Sequence, residues 1–318
     1  MTTISRRNLL LAGGAAALAS FSGAVVAESA PKPTPLRPCF NHGTFNNFNL
    51  TLEEEIDIVA KAGYRSVEPW INKVQQFMDK GGKLADMRKR IDDHGITVEG
   101  LVTFFPWAVD DDARRAAGIE QMKKEMYCAV QLGATCVAAT TSGVSNRMDD
   151  LRLLGDRYRT ILEIGDQIGV RPILEIWGAA RTLNSLSDAI AVAAWSGHPK
   201  AGMLLDIFHM YRGGSPFEGL ALVNGRSIGM FHVNDYPADP PRERLNDQHR
   251  VYCGDGVAPL TTIFQTLRDI GYDGALSFEV FNQTYRETND PLLVAKTSLE
   301  KLNAVLAKME PRVQGRSG

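Results

Sequence analysis

Apolar residues along this chain follow two alternating patterns, short continuous runs and longer segments with helical spacing. The segment Leu52–Ala62 places Ile56 and Val59 on one helical face and stops at Gly63. Short apolar runs such as Tyr64–Trp70 have the length of strands that are buried on both faces. The pattern therefore predicts strands that alternate with helices.

The alternation repeats eight times between Arg37 and Met309. The predicted strands are Cys39–His42, Tyr64–Trp70, Ile96–Phe104, Thr135–Thr140, Pro172–Glu175, Gly202–Asp206, Ile228–His232 and Ala275–Glu279. The predicted helices are Leu52–Ala62, Leu84–His94, Ala113–Leu132, Leu151–Ile168, Thr182–Ser196, Ser215–Asn224, Pro259–Ile270 and Leu292–Met309. Eight such units predict a closed (β/α)8 TIM barrel, a single α/β domain at residues 37–310. The alternative is an open doubly wound sheet, which needs a glycine-rich phosphate turn that Gly43-Thr-Phe-Asn-Asn does not supply.

Four of the later apolar runs end in a residue that can bind a metal ion. These residues are Glu175, Asp206, His232 and Glu279. Parallel strands share one face at their carboxyl ends, so the four side chains can converge although they lie 31, 26 and 47 residues apart. Three carboxylates and one imidazole suit Mn²⁺, Mg²⁺ or Co²⁺ better than structural zinc. The alternative is four unrelated strand-end residues, some of which cap the following helix.

Glu175 and Glu279 are also the predicted catalytic residues. Four protein ligands leave two positions of an octahedral shell for a hydroxyl and a carbonyl oxygen of a sugar, and the metal would stabilise an enediolate. One glutamate can then remove a proton while the other returns it. The alternative is that both glutamates only bind the metal.

Composition and net charge limit the classes of ligand that the protein is expected to bind. The chain has 318 residues, 44% of them hydrophobic and 23% charged, so it can bury a large core without a metal or a disulfide. The net charge is −2 and the sequence has no long run of like charges, so it shows no basic surface of the kind that binds nucleic acid. Small carbohydrates are the expected ligands. A homo-oligomer is compatible with this composition. The four cysteines have no CxxC spacing; Cys128 and Cys136 are expected to pack in a helix and a strand.

The N-terminus predicts export. Arg6 and Arg7 precede a weakly hydrophobic, Ala/Gly-rich stretch that ends in small residues at Val25 and Ala27, which resembles a twin-arginine signal peptide over residues 1–27. Residues 28–36 would be a proline-rich tether and 311–318 a flexible tail. The mature protein is then expected in the periplasm without stable membrane association. An uncleaved membrane anchor is the alternative.

Several motifs in the second half resemble those of the xylose-isomerase-like sugar isomerase/epimerase superfamily. They are Leu174-Glu-Ile, Leu205-Asp-Ile-Phe-His209, Phe231-His-Val-Asn-Asp235, Gly254-Asp-Gly256 and Gly271-Tyr-Asp-Gly-Ala-Leu-Ser-Phe-Glu279. The superfamily includes ketose 3-epimerases, hydroxypyruvate isomerases and inosose dehydratases. The resemblance implies that the four strand-end residues bind Mn²⁺ or a similar ion and that the two glutamates move the proton.

The resemblance also implies that His209 and Arg250 contact substrate. From the residues alone, His209 could equally orient Asp206, and Arg250 could be one charge of a solvated loop. Ketose 3-epimerases carry a glutamate six residues after the first metal ligand, whereas this chain has Arg181 there. Arg181 either binds an anionic or keto oxygen of the substrate or points to solvent.

Further candidates lie near the predicted strand ends. They are His42, Glu68, Trp70, Phe104, Phe105 and Trp107. Glu68 is expected to bind substrate hydroxyls and Trp107 to form a wall of the site, although aromatic residues are also ordinary core material.

Three functions follow from these residues. The favoured one is a metal-dependent isomerase or epimerase of a sugar or hydroxy-keto acid, working by proton transfer beside a carbonyl. The second is a lyase or dehydratase with the same metal and base, acting on oxo-sugars, oxo-glycosides or inososes. The third is a periplasmic sugar-binding barrel without turnover. A nuclease would need more histidine ligands and a basic groove.

Overall fold

The computed structural model describes residues 36–46 and 48–310. The predicted signal peptide, nearly all of the tether and the C-terminal tail lie outside these residues. The strands are β1 Arg37–Asn41, β2 Ser66–Glu68, β3 Thr97–Val98, β4 Gly100–Leu101, β5 Cys136–Ala139, β6 Arg171–Glu175, β7 Met203–Asp206, β8 Ile228–Val233 and β9 Ala275–Phe278. The helices are α1 Leu52–Ala62, α2 Ile71–Asp79, α3 Leu84–Asp93, α4 Asp112–Leu132, α5 Leu151–Ile168, α6 Leu186–Ser196, α7 Ile207–Arg212, α8 Leu260–Asp269, α9 Gln283–Glu287 and α10 Pro291–Leu306.

All strand pairs of the sheet are parallel, and their order is β3-β2-β1-β9-β8-β7-β6-β5-β4. The two edge strands are halves of one strand interrupted at Glu99: β3 pairs with β2, and β4 pairs with β5. The barrel is therefore closed through a single bent strand, which confirms the predicted TIM barrel. At the bend, a side chain on Gly100 would approach Cys136 Sγ to 3.0 Å, so glycine permits this close passage.

Local sequence signals account for the helix boundaries. Thr51 and Glu54 form a reciprocal capping box at the start of α1. At its end, Gly63 adopts a φ of +103°, which favours glycine. Helix α1 spans the residues predicted for it, and so does α5.

Two predicted helices differ from the observed elements. The sequence pattern predicts an α-helix over Ser215–Asn224, but a 3₁₀ turn forms over Phe217–Leu222, because Pro216 directly precedes it and Gly219 within it disfavours a longer helix. The helix expected from Thr182 begins at Leu186, where the Ser185 side chain caps it.

The barrel interior has two layers that explain where the site lies. Buried apolar side chains fill the lower layer, among them Ile173, Leu204, Met230 and Ala275. Side chains two residues further along a strand point to the same face. The next inward layer therefore consists of Glu175, Asp206, His232 and Ser277, with Glu279 above Ser277.

All four cysteines are buried and free, and Cys128 and Cys136 pack in α4 and β5 as expected. No helix within residues 36–46 and 48–310 combines the length and the apolar character needed to cross a membrane.

Candidate metal and catalytic site

Asp206, His232 and Glu279 meet at the carboxyl end of the barrel. Asp206 ends β7, His232 lies in β8, and Glu279 directly follows β9. Each offers one ligand atom, and these atoms lie within 4.8 Å of one another. All three side chains are buried. Three of the four predicted ligands are thus brought to one point.

The hydrogen bonding of His232 indicates that a cation fits at this point. Its Nε2 lies 2.9 Å from Glu68 Oε2, and an ionised carboxylate only accepts, so Nε2 carries the proton. Its Nδ1 faces Glu279 Oε2 at 3.2 Å and Asp206 Oδ2 at 3.7 Å, without a hydrogen bond of good geometry. The negative carboxylates repel a nitrogen lone pair that faces them, so this arrangement is favourable only when a positive charge lies between the three groups. The three residues therefore suit a divalent ion.

The carboxylates around His232 also favour a positive charge on its ring. Burial opposes a charge on His232, but the carboxylates of Glu68 and Glu279 outweigh it and raise the pKa of the imidazole well above its usual value. Metal binding at Nδ1 therefore has to displace the proton that carries this charge.

Arg250 supplies a positive charge inside the carboxylate cluster. Its side chain is 1% exposed, and Nη1 donates to Asp206 Oδ2 at 2.7 Å and to Glu279 Oε2 at 3.0 Å. Its Nη2 and Nε donate to Asp247 Oδ1 at 2.8 and 3.1 Å. Arg250 thereby offsets the repulsion between the carboxylates and fixes their orientation.

His209 joins this network from α7. Arg250 Nη2 lies 3.0 Å from His209 Nε2, and since arginine only donates, this nitrogen accepts. Burial lowers the pKa of His209, which keeps the ring neutral with its proton on Nδ1. That buried Nδ1 has no hydrogen-bond partner. The main-chain N–H of His209 also donates to Asp206 Oδ1 at 2.8 Å, which ties α7 to the candidate ligand.

Glu175 lies apart from the three-residue group but lines the same cavity. Its side chain is buried, and its Oε2 has no hydrogen-bond partner. Burial raises the pKa of this carboxyl to about 8, although the charge on His232 opposes the shift. This shift favours the protonated form of Glu175 at neutral pH, which suits a proton donor.

A cavity of about 580 Å³ opens in front of these groups. Of the residues predicted to contact substrate, His209 and Arg250 line it, together with both predicted catalytic glutamates. Trp70 and Phe104, two of the further candidates, also line it. Arg181 is exposed, and the lining includes its neighbour Ala180 but not Arg181 itself. A substrate contact by Arg181 stays a prediction.

Trp107 does not form a wall of the cavity, contrary to expectation. Its ring is 1% exposed, and its Nε1 donates to the carbonyl oxygen of Thr140 at 2.6 Å. It packs against Tyr158 in the main hydrophobic core. Phe105 is likewise buried in the core, and His42 is buried against Glu55.

Glu68 does not reach the cavity either, which corrects the expected contact with substrate hydroxyls. Its Oε2 accepts from Asn41 Nδ2 at 2.8 Å, Ser277 Oγ at 2.7 Å and the His232 ring at 2.9 Å. With these three donors, Glu68 orients the histidine and fixes its tautomer.

Replacing Glu68 by alanine is expected to weaken binding of Mn²⁺ by about 10- to 100-fold, as for other partners of metal-binding histidines. Isothermal titration calorimetry would measure this loss. Glu68→Gln keeps an acceptor oxygen for the Nε2–H group and should recover part of the affinity. Glu120→Ala, at an exposed position of α4, is the matched control. Unchanged affinity in Glu68→Ala would show that this hydrogen bond does not support the site.

The residues of the cavity wall that the prediction from sequence missed include Asp247, Trp177 and Phe281. A signal for two of them was present. Trp177 follows Glu175 by two residues and Phe281 follows Glu279 by two, and such positions face the same side of an extended chain. Asp247 lies in a long loop, where spacing along the sequence does not predict which way a side chain points.

Asp235 fixes the loop that carries Arg250. Its Oδ1 accepts from the main-chain N–H groups of Tyr236 and Ala258 at 2.8 and 2.9 Å, and its Oδ2 from those of Gly254 and Gly256, both at 3.0 Å. The segment 236–258 is thus anchored at both ends by one buried carboxylate.

Comparison with known proteins agrees with this architecture. The family model described as "Xylose isomerase-like TIM barrel" matches residues 56–305. An inosose isomerase of Bacillus velezensis is 26% identical over 278 residues, covering 86% of this chain and 98% of that protein. A 3-dehydroshikimate dehydratase of Pseudomonas aeruginosa is 25% identical over 240 residues, 74% of this chain but 37% of that protein. A crystal structure of the IOLI protein with a zinc atom superposes with a TM-score of 0.80 at 24% identity, covering 86% of this chain and 99% of that one, and has the same fold.

Proposed function

Because the chain belongs to the xylose isomerase-like TIM barrel family, we propose that it is a divalent-metal-dependent isomerase or epimerase that moves a proton beside a carbonyl group of a carbohydrate. The observation that carries this proposal is the unpartnered Nδ1 of His232, which faces two carboxylates beside a cavity. Among the relatives, an inosose isomerase matches nearly over its full length, which supports this reaction class.

Asp206, His232 and Glu279 would hold the ion; Glu175 lies apart from these three residues but lines the same cavity, so its role as a fourth ligand stays a prediction. Mn²⁺ remains our proposal for the ion, with Mg²⁺ or Co²⁺ as alternatives, although a zinc atom is present in the similar solved structure. When bound, a divalent ion would polarise the substrate carbonyl and so acidify the neighbouring C–H group.

The chain's own residues would carry out the proton transfer. Glu279, held by Arg250 at 3.0 Å, is placed to accept the proton from carbon. Glu175, whose pKa burial raises to about 8, lies on β6, beyond β7 and β8 from Glu279, and is placed to return a proton. If the proton returns to the opposite face of the same carbon, the product is an epimer. If a proton is added to the former carbonyl carbon, the product is an isomer.

Exchange with D₂O tests the proposal. Purified protein is incubated with inososes and ketoses, and ¹H NMR follows the loss of the signal next to the carbonyl. We expect exchange with isomer formation, loss of exchange after dialysis against a chelator, and recovery on adding Mn²⁺. Equal exchange by the metal-free protein would contradict the proposed role of the ion.

A lyase or dehydratase is the second candidate, and two observations favour it. One relative is a 3-dehydroshikimate dehydratase, and a protonated Glu175 could protonate a departing oxygen. The same NMR experiment distinguishes the two reactions, because elimination produces a new vinylic proton signal and releases water or an alcohol.

The N-terminal sequence is the basis for proposing where in the cell this reaction occurs. We propose export by the twin-arginine route and action in the periplasm, on the basis of Arg6, Arg7 and the small residues at Val25 and Ala27.

A further inference from the structure

Four aromatic side chains form a continuous wall on one side of the cavity, and we call them the aromatic wall: Trp70, Phe104, Trp177 and Phe281. Ring centroids lie 6.0 Å apart between Phe281 and Trp70, 5.2 Å between Trp70 and Phe104, and 6.3 Å between Phe104 and Trp177. Each ring is partly exposed. Adjacent aromatic rings that are exposed within a cavity can bind the apolar face of a flat or cyclic ligand.

The cavity is larger than one sugar ring requires. A free hexose has about twelve non-hydrogen atoms. A water molecule in the liquid occupies about 30 Å³, and covalently bonded atoms lie closer together than separate water molecules. A hexose therefore needs less than about 360 Å³. The cavity volume is about 580 Å³. At least about 220 Å³ therefore remains when one ring occupies the position between Glu175 and Glu279, and at about 30 Å³ per atom this is enough for a six-atom ring.

The charges of the cavity favour an uncharged ligand. Its charged lining residues are Glu175, Asp247, Arg250 and Glu279, and within the described residues no lysine lines it. The single guanidinium among them already donates to three carboxylates. A divalent ion would be offset by Asp206 and Glu279. Among the residues that line the cavity, no positive charge is therefore left over for a phosphate or carboxylate group, and Arg181, which does not line it, is the remaining candidate for such a contact.

We infer that the substrate is a neutral carbohydrate with two rings, such as a glycoside of a keto sugar. The reacting ring lies beside Glu175 and Glu279, and the second ring, whether a sugar or an aromatic group, packs on the aromatic wall. The identity of the reacting end rests on the proposed function. The inference that the substrate has a second ring and no charge depends on the aromatic wall, the cavity volume and the charges of the lining residues.

Binding of stable probes tests the inference without turnover. Calorimetric titration of the Mn²⁺-loaded protein would compare methyl β-D-glucoside with phenyl β-D-glucoside and methyl β-cellobioside. We expect the two-ring probes to bind about tenfold more tightly, as a favourable ring contact allows. Glucose 6-phosphate is expected to bind more weakly than methyl β-D-glucoside.

Variants then locate the second ring. Trp177→Ala and Phe104→Ala should each remove most of the preference for two-ring probes. Trp195→Ala, which changes an exposed aromatic side chain of α6 away from the cavity, should retain the preference.

The outcomes separate this inference from the proposed function. Equal or undetectable affinity of the wild-type protein for one-ring and two-ring probes would overturn the second ring, and tighter binding of glucose 6-phosphate would overturn the neutral substrate. Either result could stand beside normal D₂O exchange. A preference for two-ring probes without any metal-dependent exchange would instead refute the proposed reaction.

Discussion

Glu279→Gln is expected to lower the rate of proton exchange with D₂O by about 10²- to 10⁴-fold, the usual contribution of a general base. The amide retains an oxygen that can accept from Arg250, so the arrangement around Asp206 should persist. It cannot accept a proton from carbon. Exchange should be measured by NMR at saturating Mn²⁺, because the substitution also removes one charge from the metal site.

Two measurements make this result interpretable. Metal analysis of the variant shows whether Mn²⁺ is bound during the assay. Glu287→Gln, at an exposed position of α9, makes the same chemical change outside the cavity and should exchange protons normally. Wild-type exchange by metal-loaded Glu279→Gln would remove this residue from the proton transfer.

His232→Ala is expected to weaken Mn²⁺ binding by more than about a hundredfold, a larger loss than that of an outer partner such as Glu68. The substitution removes the ligand nitrogen and leaves Asp206 and Glu279 to bind alone. The barrel should still form, because its apolar layers do not contain this ring. Isothermal titration calorimetry gives the affinity, and circular dichroism verifies the fold.

His198→Ala, two residues beyond the end of α6, is the matched control. If His232→Ala does not fold, Asp206→Asn provides the same test with a smaller change in shape. Full metal occupancy in both site variants would mean that the ion binds elsewhere.

The convergence of Asp206, His232 and Glu279 could be predicted from sequence because strand geometry is regular. Side chains alternate between two faces, so a polar residue two positions beyond an inward apolar residue must also face the barrel interior. Ile173 and Glu175 are such a pair, as are Leu204 and Asp206. Parallel strands then bring these ends together without any detailed knowledge of packing.

The partners of individual side chains could not be predicted in the same way. Glu68 ends β2 as expected, yet its carboxylate bonds to His232 across the barrel interior instead of facing the cavity. Which inward side chains meet depends on strand tilt and register, which the sequence pattern does not specify. Trp107 follows a strand by several residues, and from there the chain can turn either toward the cavity or into the core.

Helix prediction failed where residue types and spacing disagreed. Apolar periodicity favoured a helix over Ser215–Asn224, but Pro216 and Gly219 limit it to a short turn. Conversely, Ile71 and Val74 are spaced by three residues and are buried in α2, so a signal for this unpredicted helix was present in the sequence.

The anchoring of segment 236–258 by Asp235 has a consequence for binding entropy. A long loop that is free in solution loses about 1–2 kcal/mol of backbone conformational freedom for every residue that a ligand must order. Here, four main-chain N–H groups are bound to one carboxylate before any ligand arrives. The disorder of this loop is therefore removed during folding, and Arg250 is already in place when a substrate enters. A long connection between β8 and α8 thus behaves, toward a ligand, like a short and rigid one.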